Sequence, residues 1–176
     1  MEATKPILEK VKKELKAALA AEWVLQGHRL TGQFEEEIEV RVIEKENRAL
    51  QIDVLMLKYG KAIELGRHRS EININGAYIA GLIDYVRKRM EISDSKKAKS
   101  VAFAIANTHK KEGMPSKKSR RFSKTGKRTG FINETIRKNS ETFARLMKEY
   151  AKRDVEIQLD LLLRKWKKNF NTANTN

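Results

Sequence analysis

The sequence predicts an α+β fold. An amphipathic N-terminal helix packs on a small antiparallel sheet, and a helical insertion and a long C-terminal helix follow. Three observations carry this. Apolar residues recur at three- and four-residue steps at the start of the chain. They switch to alternation in two neighbouring runs between Phe34 and Met56. From Ile79 onward they return to helical steps and hold them almost to the end.

Thr4 is placed to cap the first helix, and Pro6 sits in its first turn, where a missing N–H costs little. Leu8, Val11, Leu15, Ala18 and Leu25 make one apolar stripe, and Gly27 reads as the terminator. Trp23 departs from that stripe and reads as an exposed residue near a helix end, the kind that marks an interface.

In LTGQFEEEIEVRVIE, residues Phe34, Ile38, Val40 and Val42 point one way and Glu35, Glu37, Glu39 and Arg41 the other, as in a half-buried strand. EKENR is a polar turn. Leu50, Ile52, Val54 and Met56 alternate again, so the two runs predict an antiparallel hairpin. Gly60, Gly66 and Gly76 divide the next stretch into short pieces, with room for a third short strand at Ala62 to Leu65.

Ile79, Leu82, Ile83, Val86 and Met90 mark a helix. Ser93 or Asp94 caps another that contains Ala98, Val101, Ala102 and Ile105 and ends before Gly113. From Thr129, the residues Ile132, Ile136, Phe143, Met147, Tyr150, Val155, Leu159, Leu162 and Trp166 follow a helical stripe. Asp154 to Leu161 also alternates with period two. Helix is the preferred reading, with a break near Asp154. The chain thus reads as a single domain over 1–170, with a helical insertion at about 77–112, a basic loop at 110–128 and a polar, frayed tail at 171–176.

The formal net charge is +15, which favours nucleic acid, an anionic surface or an acidic protein partner. There is no cysteine, which excludes disulfides, thiolate chemistry and Cys-based zinc sites. No apolar run is long enough to span a bilayer, and the first residues lack a signal core, so no membrane partner is expected. His28, His68 and His109 have no metal-binding spacing. Neither a nucleophile elbow nor a phosphate-binding glycine loop is present, so the sequence predicts neither an enzyme nor a cofactor.

The densest signal lies in KKEGMPSKKSRRFSKTGKRTGF. Lys110, Lys111, Lys117, Lys118, Arg120, Arg121, Lys124, Lys127 and Arg128 stand against Glu112 alone. Like charges this close repel, so the loop is expected to lack compact structure without a counter-charge. It grips a polyanion, docks an acidic partner, or is a solvated linker, and composition favours the first and last about equally. Phe122 either stacks on a base or anchors the loop to the fold.

The order of these pieces resembles the tail-completion (neck, or head-to-tail joining) proteins of tailed bacteriophages. After the N-terminal helix, Thr31 and Gly32 match the family's Thr-Gly, with Phe34 and Ile38 at its apolar places. Tyr59, Glu64 and Gly66 match a later Tyr…Glu-x-Gly segment. Gly113 and Pro115 match a Gly-x-Pro after the second insertion helix, and Phe131 the aromatic that opens the last helix. The resemblance covers residues 5 to 165. Acidic residues replace the family's usual Arg and Ser in the Thr-Gly segment.

The resemblance implies a structural virion protein. Its copies would form a homo-oligomeric ring, a hexamer or dodecamer, against the portal or adaptor ring and the tail proteins. It would assemble in the host cytoplasm and reside at the head–tail interface. The candidate contacts to channel DNA or to an acidic partner are Lys117, Lys118, Arg120, Arg121, Lys124, Lys127 and Arg128. The alternative is a cellular nucleic-acid-binding protein that uses the same loop.

Overall fold

A computed structural model of the chain describes residues 5–45 and 50–173. Thr4, most of the polar turn before Leu50 and the last three residues of the tail lie outside them. The elements run α1 (Lys5–Leu25), α2 (Gln33–Glu37), β1 (Glu39–Glu44), β2 (Leu50–Leu55), α3 (Tyr59–Leu65), α4 (Gly76–Met90), α5 (Ser95–Glu112) and α6 (Phe131–Ala173), with short 3-10 turns at Arg69–Glu71 and Lys117–Phe122. The α+β class is as expected. The sheet is the antiparallel hairpin β1–β2, in a register that sets Val40 opposite Val54 and Val42 opposite Ile52.

The main core lies where α1, α6 and the hairpin meet. Leu15, Leu19, Trp23, Phe34, Ile38, Val40 and Phe131 are buried together. The α1 and α6 helices run antiparallel, because Glu22 pairs with Lys138 while Trp23 meets Phe131 edge-on at 5.2 Å. Beside the core an apolar cleft of about 220 Å³ opens between Leu15, Ile52, Val54, Ile136 and Phe143. A second cluster holds α4 against α5. Ala98, Ala102 and Ala106 present a small-residue face on α5, and the first two pack with Val86, Leu82 and Ile105. Asp94, one of the two expected caps, accepts from the Lys97 N–H at 2.6 Å, and Asn75 caps α4 in the same way.

Six expectations are corrected. Trp23 is not an exposed interface residue; it is 2% exposed and stacks on Phe34 at 3.6 Å. Phe34 is not on a strand, because α2 precedes β1. Its four-residue spacing from Ile38 suits a helical turn as well as a strand. No third strand forms at Ala62 to Leu65, which lie in α3; the nearby pairing is an isolated bridge, Arg67 to Met114. There is no break near Asp154, since α6 is continuous over 43 residues. It also takes in residues 171–173 of the expected tail. Finally, the basic segment is not a featureless loop, for reasons given next.

Candidate functional site

Residues of the Tyr…Glu-x-Gly, Gly-x-Pro and Phe131 motifs, far apart in sequence, meet at one junction. Gly66 has φ 73° and ψ −175°, and Gly113 has φ 83° and ψ −171°. That region of backbone space is essentially closed to side chains. The two glycines flank the paired backbones of Arg67 and Met114, which exchange hydrogen bonds of 2.7 and 2.8 Å. A Cβ on Gly66 would lie 2.7 Å from the Met114 carbonyl oxygen. One on Gly113 would lie 2.7 Å from that of Arg67. Pro115 follows directly, after a cis peptide bond.

Glu64, two residues before Gly66, caps α6 from outside. Its carboxylate accepts from the Ile132 N–H at 2.8 Å and from that of Asn133 at 3.4 Å, and its carbonyl accepts from the Gly130 N–H. The positive end of the helix dipole favours a carboxylate there. Phe131 then enters the core, fully buried. Tyr59 packs its ring 5.4 Å from that of Phe34. Thr31 and Gly32 do not join this junction. Thr31 Oγ1 accepts from the Gln33 N–H at the start of α2, and Gly32 supplies the positive φ that opens that helix.

The basic segment leaves this junction and returns to it. Lys110, Lys111 and Glu112 complete α5, and Lys110 Nζ donates to the Ile72 carbonyl at 2.8 Å. Residues 117–122 form a 3-10 turn. The Lys124 N–H donates to the Leu25 carbonyl at 2.9 Å, and Arg128 Nη1 to the Gly27 carbonyl at 3.1 Å. Lys127 pairs with Glu134, which also binds Arg137 at 2.8 Å. The backbone contacts to the end of α1 hold the segment despite its charge. The fit is close: a Cβ on Gly27 would sit 2.1 Å from the Phe122 carbonyl oxygen.

This sorts the seven predicted cations. Arg128 is half-buried, and burial lowers its pKa from the ordinary arginine value. With Lys127 it serves the fold. Lys117, Lys118, Arg120, Arg121 and Lys124 are exposed and have no ion pair among the described residues. The Arg121 guanidinium lies 4.8 Å over the Phe122 ring, itself half-exposed, so the two offer a cation and a flat apolar face side by side.

Sequence reasoning missed two polar pairs. Glu22, buried on α1, binds Lys138 Nζ at 2.6 Å and accepts from Gln26 Nε2 at 3.1 Å. Tyr78 on α4 meets His109 Nδ1 on α5 at 2.7 Å. Neither leaves a sequence signal, because each joins residues whose neighbours in the chain are unremarkable. His28 packs 4.7 Å from Trp23. Its pKa is lowered to about 4, first by burial and then by the charge of Arg128. Among the described residues no cluster of His, Asp and Glu could hold a metal, and no helix is long and apolar enough to cross a membrane.

Compared with family models, curated proteins and solved structures, the chain gives no match.

Proposed function

We propose that the chain is a structural subunit of the neck of a tailed bacteriophage, part of a ring-shaped connector that joins the DNA-filled head to the tail. The observation that carries this reading is the motif junction. The segments used for the resemblance, Tyr59–Gly66, Gly113–Pro115 and Phe131, pack around one node, and from it the basic segment is presented as a fixed surface. A connector subunit needs such a surface. It must stay rigid between neighbours and tolerate the polyanion that passes through the ring. On this reading Lys117, Lys118, Arg120, Arg121 and Lys124 face channel DNA or the acidic surface of an adjoining portal, adaptor or tail ring.

A cellular nucleic-acid-binding protein is the second reading, favoured by the exposed Phe122 beside Arg121. The two separate on salt. A connector subunit binds free duplex weakly and without sequence preference, and assembles into discrete rings. A dedicated binder stays small and holds nucleic acid at physiological salt. Native mass and duplex titration on the full chain distinguish them. A small species with tight binding overturns the neck reading.

A further inference from the structure

The stretch that follows α1 holds two arginines from far along the chain. Arg89, in the last turn of α4, donates through Nη1 to the Arg29 carbonyl at 3.1 Å. Arg128 donates through Nη1 to the Gly27 carbonyl, also at 3.1 Å. Gly27 and Arg29 are two residues apart, so their α-carbons lie within about 7 Å. One short piece of backbone thus brings two guanidiniums together. The electrostatics agree. Burial lowers the pKa of Arg128 most; after that, Tyr85 raises it and Arg89 lowers it. Tyr85 and Arg89 are four residues apart on α4, so a single face of that helix is turned towards Arg128.

Two like charges held side by side repel, and no acid of the fold separates them. Glu35, the carboxylate that reaches this stretch, faces Arg29 at 3.5 Å. Neither Arg89 nor Arg128 has a carboxylate partner among the described residues. The Arg128 Nε is buried and has no hydrogen-bond partner among them either. A buried donor left unpaired is destabilising, and a neighbouring cation makes it more so. The negative end of the α4 dipole favours Arg89 where it stands, but it does not act on Arg128. An anion between the two removes both terms. It accepts from Arg128 Nε and cancels the repulsion with Arg89.

We propose that Arg89 and Arg128 are the two arms of a binding site for a phosphate group. A guanidinium presents its N–H groups as a planar fork that matches two phosphate oxygens at once, and two such forks match the charge of the group. The half-buried Arg128, fixed by Gly27, sets the position of the anion. The exposed Arg89 lets it enter from solvent. Lys124 belongs to the same neighbourhood, since its N–H donates to the Leu25 carbonyl at 2.9 Å, so the site adjoins the exposed basic segment. A nucleic-acid backbone and free phosphate offer the same chemistry. The site stands on these contacts and not on the neck reading.

The test uses the full chain, isotope-labelled, titrated with inorganic phosphate and separately with a short DNA duplex, each at constant ionic strength. The Arg128 Nε–Hε signal should shift and saturate. Arg89→Gln keeps a donor for the Arg29 carbonyl and loses the charge, and it should weaken binding about tenfold. Arg87→Gln is the control. It removes the same charge from the same turn, but Arg87 donates to Ser95 Oγ instead, so binding should change less than about twofold. A shift with phosphate at low millimolar concentration assigns the site to free phosphate, and a shift with duplex alone assigns it to the nucleic-acid backbone. An Arg128 signal that neither ligand moves, or equal weakening by Arg89→Gln and Arg87→Gln, would overturn the proposal.

Discussion

The Glu64 carboxylate caps the N-terminus of α6 at Ile132, 68 residues further along the chain. A cap supplied from so far away ties the end of α3 to the start of the longest helix. Both orphan N–H groups would otherwise face the half-buried junction without a partner. Glu64→Ala is expected to lower stability by about 1 kcal/mol. Glu64→Gln, which keeps an acceptor but loses the charge, should recover part of that. Urea unfolding of the three proteins measures both.

The paired glycines make a sharper case. Gly66→Ala and Gly113→Ala each force a side chain into a closed backbone region and against a carbonyl 2.7 Å away. Each should destabilise by about 1–3 kcal/mol. Gly81, inside α4 with open space around it, is the control. Gly81→Ala should stabilise by about 0.5–1 kcal/mol. Thermal melts of the three variants should therefore move in opposite directions.

Glu22 depends on Lys138, since its carboxylate is buried and is held there by Lys138 Nζ and Gln26 Nε2. Lys138→Met should cost about 1–3 kcal/mol, because it leaves a buried acceptor short of its partner. Pairing it with Glu22→Gln should cost less than the sum of the two single changes. A double-mutant cycle in urea reads the coupling directly.

Acid should weaken the fold in two stages. His28 titrates at about 4 when folded, against 6.5 when exposed, and the pKa of His109 is also lowered, both chiefly through burial. Between these limits the unfolded chain binds more protons, so stability is lost as pH falls from 6.5 towards 4. Below 4.5 Glu134 joins. Hydrogen bonds from Arg137 and Lys127 hold its pKa at about 2, and those contacts disappear on protonation. Melting temperature against pH should decline from 6.5 downward, and His28→Gln should flatten the first part of the decline.

The basic surface gives a salt test. Replacing Lys117, Lys118, Arg120 and Arg121 by glutamine should leave the melting temperature within a degree or two of the parent, because none holds an ion pair among the described residues. The slope of log affinity for duplex DNA against log salt should shrink by about 0.9 for each lost phosphate contact. Replacing Arg128 instead should cost stability, since its guanidinium binds the Gly27 carbonyl.

Most helices and the hairpin were legible because their periods are unambiguous over long windows. Alternation placed Val40 and Val54 on apolar faces of two neighbouring strands, and the structure adds the register that sets them opposite each other. Legibility failed where a period is shared or a contact is remote. Phe34 and Ile38 are four apart, which suits both a helical turn and one face of a strand. Trp23 falls outside a single stripe, yet it is buried because α1 packs against the hairpin side through Phe34 and against α6 through Phe131. The basic segment looked self-repelling in composition. Its anchors are carbonyls of Leu25 and Gly27 about a hundred residues away, and no sequence window contains both partners. Residues used for the resemblance fared better. Glu64, Gly66, Gly113 and Phe131 were singled out by order alone, and the fold gives each a mechanical task.

The central claim is that this chain works by fitting against copies of itself in a closed connector. Negative-stain microscopy of the purified full chain, read together with its native mass, tests that most directly. The expected result is discrete rings of fixed subunit number with a central opening wide enough for duplex DNA. A uniform monomer at every concentration and salt tested, still monomeric when mixed with candidate head and tail components, would contradict it.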